Sequence, residues 1–119
     1  MGGEIADAII DLEEGLGRVR GNRKLYGKML GMFLKGQEFD ALEAALKAGD
    51  NSQAGDLAHT IKGITGNLSL TALFKASTQL MNEFRAGQAA EESLANYREI
   101  LVKTKAEVEA LIAQLASEG

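Results

Sequence analysis

The spacing of the apolar residues constrains the fold of this chain more than any other feature of its sequence. In the last third of the chain, apolar residues and one threonine recur at steps of three and four: Leu94, Tyr97, Leu101, Thr104, Val108, Leu111 and Leu115. These steps place side chains on one face of an α-helix. Proline, which interrupts helices most strongly, is absent from all 119 residues. The sequence therefore predicts long amphipathic helices.

Glycines mark the end of the first predicted helix and a bend in the second. Apolar residues at positions 5–16 predict a short first helix, which Gly15 and Gly17 end. Over about 23–48 we predict one long helix with a bend near Gly36, and two separate helices are the alternative.

Residues that favour helix ends separate the remaining segments. Asn22 is suited to capping the second helix, and Asp50, Asn51 or Ser52 a helix over about 51–68. Ser69 is expected to cap the next helix, which Gly87 ends. The turn before that helix is short and makes the two neighbours antiparallel. We predict one all-α domain over 1–119, an antiparallel four-helix bundle with a short extra N-terminal helix.

Composition excludes several classes of protein. The absence of cysteine rules out disulfides, thiolate metal sites and cysteine nucleophiles. A formal net charge of −4 argues against nucleic-acid binding. No apolar run approaches the ~18 residues of a membrane span, and the first residues lack the pattern of a signal peptide. We expect a monomeric cytoplasmic protein, or a cytoplasmic module of a larger one.

The only histidine of the chain, His59, lies in the segment 51–68. The apolar residues Leu57, Ile61, Ile64 and Leu68 define one stripe of that helix, and His59 lies roughly 190° from its centre. The residues on the same side as His59 are small: Ser52, Gly55, Gly63 and Gly66. The sequence thus predicts an outward imidazole surrounded by small residues, with Lys62 one turn away.

Helix stability does not explain the glycines beside His59. Each glycine inside a helix costs about 0.5–1 kcal/mol relative to alanine. Close helix packing is one explanation, but these glycines are predicted to face away from the core. We therefore favour access to His59 for something bulky, such as another protein or a phosphoryl group. A neutral imidazole has a nitrogen lone pair for attack on phosphorus, and Lys62 supplies positive charge for the phosphoryl oxygens.

The segment Ala58-His59-Thr60-Ile61-Lys62-Gly63, followed by Gly66-Asn67-Leu68, resembles the signature of histidine-containing phosphotransfer (HPt) domains. The family pattern is His-x-x-Lys-Gly, then a small residue, an apolar residue and usually glycine. The chain departs from it at Ser69, where glycine is usual, and at Met81, where glutamine or glutamic acid is frequent.

The resemblance implies a phosphorelay. His59 would exchange a phosphoryl group reversibly with the aspartate of a response-regulator receiver domain, without turnover of its own. No cofactor is expected in the chain, and the receiver would bring Mg²⁺. Nε2 would attack while a neighbour holds Nδ1. Methionine is not expected to hold it, which leaves Thr78, Asn82 or water.

We predict a docking surface near His59 and Gly63, formed by Ser52, Gly55, Asp56, Gly66 and Asn67. The domain could also belong to a hybrid sensor histidine kinase, and the partners' identity and the direction of phosphoryl flow are left open. A helical interaction module that docks a partner without carrying phosphate is the main alternative. Asp56-x-x-His59 resembles half of a carboxylate-bundle metal site, but such sites use two inward motifs. No acid or serine is placed by the sequence to complete a hydrolase triad.

Overall fold

A computed structural model describes residues 8–118, and these residues form helices and connecting turns without strands. The helices are α1 (Leu12–Arg18), α2 (Arg23–Leu34), α3 (Glu38–Lys47), α4 (Asn51–Asn67), α5 (Thr71–Arg85) and α6 (Glu91–Ser117). The predicted histidine helix over about 51–68 corresponds to α4. Within the described residues, no helix is long and apolar enough to cross a membrane.

The helices pack as a bundle around one apolar core. α4 contacts α3 and α5, α5 contacts α6, and α6 contacts α2, while α1 packs against α2. The largest side chains with under 2% exposure come from α2 to α6 and the α4–α5 turn, and they include Tyr26, Leu42, Ile61, Leu70, Leu80 and Tyr97. The all-α helical bundle predicted from the apolar spacing is confirmed.

The second predicted helix is in fact two helices. α2 ends at Leu34 and α3 begins at Glu38, so the prediction of one bent helix over 23–48 is wrong and its alternative is correct. Phe33 and Phe39 are six residues apart, which is one short of a heptad and out of phase for one continuous stripe. The break lets both rings reach the core, where they meet edge to face with centroids 5.3 Å apart.

The short first helix begins later than the apolar pattern predicted. α1 starts at Leu12 because the Asp11 side chain accepts a hydrogen bond from the Glu14 N–H, 3.1 Å away. Ile5 lies outside the described residues. Gly15 and Gly17 lie inside α1 and do not end it. Gly15 has a packing reason, because a Cβ there would lie 2.5 Å from the Tyr26 hydroxyl oxygen.

Three of the predicted helix ends are confirmed. The Asn22 side chain accepts from the Leu25 N–H, and the Asp50 side chain accepts from the Gln53 N–H. Gly87 follows the C-cap of α5 with φ +140°, a backbone conformation that side chains disfavour.

The start of α6 is capped from another helix. Its N-cap residue, Ala90, has no side-chain acceptor, and the Glu83 carboxylate of α5 accepts from the Ala90 N–H at 2.8 Å. The same carboxylate accepts from the Ser93 hydroxyl at 2.8 Å and the Gln79 amide at 3.1 Å. These hydrogen bonds lower the pKa of Glu83, with the Ala90 N–H as the largest cause. Glu83 therefore fixes the α5–α6 connection.

Candidate functional site

The face that α4 turns to the core is centred on small residues. Ala54, Ala58, Ile61 and Thr65 are fully buried, whereas Leu57 and Ile64 are only partly buried. The core stripe is therefore displaced by roughly 60° from the one that the larger apolar residues predicted. His59 still lies outside it, and its side chain is exposed as predicted.

One ring nitrogen of His59 faces α5. Nδ1 lies 3.3 Å from the Met81 sulfur, within the range of a hydrogen bond to sulfur. The expectation that methionine cannot hold Nδ1 is therefore wrong, because a thioether sulfur is a weak acceptor. The two substitutes suggested by the sequence do not take this place. Thr78 donates its hydroxyl to the Phe74 carbonyl at 2.8 Å, and Asn82 is exposed.

The three glycines near His59 have different surroundings. A Cβ at Gly63 would meet no atom of the described residues within 4 Å, so this position is open, as predicted. Gly55 is buried, and a Cβ there would lie 3.2 Å from the Phe84 Cβ. At Gly66 a Cβ would lie 3.1 Å from two carbons of the Phe74 ring. The prediction that all three face away from the packed interior is wrong for Gly55 and Gly66, which allow α5 to approach closely.

Lys62 extends toward α5 and does not stand free in solvent. Its side chain is partly buried, and Nζ lies 5.9 Å from the centroid of the Phe74 ring. At this distance an ammonium is attracted to the face of an aromatic ring. This contact with Phe74 holds the ammonium of the flexible Lys62 side chain on the side of α4 that faces α5.

A groove of about 550 Å³ lies beside His59, between α1, α4 and α5. Its lining includes His59, Lys62 and Gly63, and it also includes two further cationic side chains, Arg18 and Lys75. Asp11, the N-cap residue of α1, and Glu14 within α1 supply negative charge. Sequence reasoning missed the part that α1 plays here, since no local pattern shows where a short helix docks.

The α4–α5 turn, which lines the groove, is held by α1 and α2. The Asp11 N–H donates to the Ser69 carbonyl at 2.9 Å, and the Tyr26 hydroxyl donates to the Leu68 carbonyl at 2.6 Å. Ser69 has φ +59°, the left-handed region that glycine adopts at least cost. Its hydroxyl donates to the Glu14 carboxylate at 2.8 Å. Ser69 is thus not the N-cap of α5, a position that Leu70 occupies.

The remaining predicted docking residues lie on the outer side of α4. Ser52, Asp56 and Asn67 are exposed, and Asn67 also lines the groove beside His59. The Asp56 carbonyl accepts from the Thr60 hydroxyl at 3.2 Å. No three histidine or acidic residues of the described chain cluster as ligands for a metal ion.

A family model of the Hpt domain matches residues 28–118, which run from within α2 to the end of α6. No curated protein matches the chain significantly, and no solved structure does either. The matched region contains the exposed histidine, Lys62 and the open Gly63. The chain therefore belongs to the Hpt domain family, the histidine phosphotransfer modules that interact with receiver domains in two-component signalling.

Proposed function

We propose that His59 accepts a phosphoryl group from the phospho-aspartate of one receiver domain and passes it to another. The observation that carries this proposal is the state of the imidazole: Nδ1 faces Met81, and the ring is exposed at the edge of the groove. Nε2 thus has a lone pair available for attack when Nδ1 carries the proton.

The proposed transfer conserves charge and atoms in one exchange. Nε2 forms a bond to phosphorus while the bond from phosphorus to the aspartate oxygen breaks, and the carboxylate leaves with the electron pair. Nδ1 keeps its proton. Such a transfer depends on in-line positioning and on positive charge near the equatorial oxygens, for which Lys62, one turn from His59 on α4, is the candidate. Mg²⁺ and the aspartate would both belong to the receiver.

The proposed docking surface surrounds His59 on the exposed side of α4. It includes Gly63 and the exposed residues Ser52, Asp56 and Asn67, with Gly66 at the edge of the groove. Gly55 is buried under this surface and contributes indirectly, because it lets α4 lie close to Phe84 of α5. A partner of hybrid-kinase origin and a cytoplasmic location both stay predictions from the sequence.

Labelling from a phosphorylated receiver tests the acceptor. The chain is incubated with a ³²P-labelled receiver and Mg²⁺, and the label is expected to be acid-labile and base-stable. His59→Gln should abolish labelling without loss of helical circular dichroism. Label that persists in this variant would place the acceptor elsewhere. A wild-type chain that binds receivers without becoming labelled would instead support the docking-only alternative.

Gly63→Glu tests the open side of the docking surface. A glutamate there adds bulk and negative charge where no described atom lies within 4 Å, so the helix should tolerate it. We expect the transfer rate to fall at least about tenfold, the equivalent of about 1.4 kcal/mol. Gly31→Glu is the matched control, since Gly31 lies in α2 with equally open space around a Cβ. Equal transfer rates in the two variants would contradict the proposal for Gly63.

A further inference from the structure

We infer that Met81 is a positioning residue for His59, and that its thioether sulfur selects the tautomer with the proton on Nδ1. This inference deepens the proposed function and rests on it for its consequence in transfer. The contact that carries it is the 3.3 Å distance between Nδ1 and the Met81 sulfur.

The chemistry of the pair allows only one direction for this hydrogen bond. A thioether sulfur has lone pairs and no hydrogen, so it accepts and never donates. An Nδ1 without a proton would place its own lone pair against those of sulfur. The contact is therefore favourable only when Nδ1 carries hydrogen, and in the neutral ring this leaves Nε2 unprotonated.

The position of Met81 makes its sulfur a fixed partner. Met81 is 5% exposed and packs in the core on α5, whereas the His59 ring is exposed on α4. The two helices lie close together near this position: a Cβ at Gly55 would lie only 3.2 Å from the Cβ of Phe84, which is also on α5. A buried side chain has few alternative rotamers, so the sulfur stays beside the ring while His59 itself is open to solvent.

Other side chains near His59 on α4 and α5 are occupied or exposed. Thr78 donates to the Phe74 carbonyl, one turn before it in the helix. Asn82 is exposed, and Lys62 lies over the Phe74 ring. Among the described residues, the Met81 sulfur is thus the side-chain partner of Nδ1.

Sulfur is a weaker acceptor than an amide or carboxylate oxygen. Met81 is therefore expected to orient the ring and bias its tautomer with the strength of one modest hydrogen bond. Loss of such a bond corresponds to a change of about two- to tenfold in population or rate.

The test measures the tautomer directly, in the unphosphorylated protein. His59 is the only histidine, so tag-free, ¹⁵N-labelled protein gives ring nitrogen signals from this residue alone. At about pH 9 histidine side chains are normally neutral, and there the wild-type chain should hold a larger share of the Nδ1–H form than a variant without an acceptor at position 81. Met81→Leu keeps an apolar side chain of similar size but has no acceptor. It should shift the tautomer ratio about two- to tenfold toward Nε2–H and slow phosphotransfer by a similar factor.

Two further variants separate positioning from a general effect on the fold. Met32→Leu makes the same chemical change at an exposed residue of α2 and should leave both readouts at wild-type values. Met81→Glu supplies a carboxylate, which when ionised only accepts hydrogen bonds, and should return the ratio toward Nδ1–H. An unchanged tautomer ratio in Met81→Leu would overturn the inference, as would a shift toward Nδ1–H. A shifted ratio with unchanged transfer would remove the positioning role. Because the tautomer is read without phosphate, a failed acceptor assignment at His59 would be seen separately.

Discussion

Alanine substitution of the α4 glycines should separate an open position from a packing position. Alanine is a better helix former than glycine by about 0.5–1 kcal/mol. At Gly63 a methyl group meets no described atom within 4 Å, so Gly63→Ala should gain this amount in the free energy of unfolding. For a domain of this size the melting temperature should rise by about 2–5 °C.

The same substitution at Gly55 should have the opposite sign. The new Cβ would lie 3.2 Å from the Phe84 Cβ, whereas carbon atoms pack favourably at about 3.5–4.0 Å. The Phe84 Cβ is bonded to the α5 backbone, so relief requires the two helices to separate. Overpacking of this kind costs about 1–3 kcal/mol, which exceeds the gain in helix propensity. We expect a net destabilisation of about 1 kcal/mol.

Urea unfolding followed by far-UV circular dichroism, with calorimetry for the melting temperature, measures both variants. Gly66→Ala should fall between them, because the clash there involves ring carbons of the partly buried Phe74, which can rotate aside. Equal stabilisation by Gly55→Ala and Gly63→Ala would refute the assignment of Gly55 to helix packing. Destabilisation by Gly63→Ala would show that its surroundings are not open.

Two other substitutions test the charges that the structure fixes. Glu83→Gln should lower the free energy of unfolding at pH 7 by about 1 kcal/mol, because the carboxylate accepts the Ala90 and Ser93 hydrogen bonds. The pKa of Glu83 is lowered by folding. Its stabilising effect is therefore present above the unfolded carboxyl pKa of about 4.3 and is lost as the pH falls through the folded pKa. Urea unfolding of both proteins from about pH 7 to pH 3 should show the gap closing, and a constant gap would contradict this origin. Lys62→Met keeps an apolar stem beside Phe74 but removes the charge, and should slow phosphotransfer by about five- to thirtyfold, or 1–2 kcal/mol. Transfer at the wild-type rate would mean that the Lys62 ammonium does not act on the phosphoryl group.

The parts of the fold that the sequence predicted are those governed by local periodicity and capping. In α6 the threonine and apolar residues at steps of three and four are buried or partly buried along the helix, as expected. Asn22 and Asp50 cap their helices through their own side chains. These features depend on residues a few positions apart, so the chain order contains the information directly.

The errors arise where small residues or distant segments decide the packing. The apolar pattern marks large residues such as Leu57 and Ile64 as the centre of the α4 core face, but Ala54 and Ala58 are fully buried and Leu57 and Ile64 are only partly buried. Small residues carry little weight in an apolar pattern, although Gly55 and Gly66 allow α5 to approach closely. The docking of α1 beside the groove depends on residues such as Glu14 and Ser69, which lie 55 positions apart.

The departure from the family pattern at Ser69 links the histidine helix to α1. A serine in the left-handed conformation costs about 1–2 kcal/mol that glycine would not, and the hydrogen bond to Glu14 offsets part of this cost. The two positions are therefore not independent during sequence divergence. A descendant that loses the acid at position 14 would favour glycine at 69, and a descendant with glycine at 69 would be free to vary at 14.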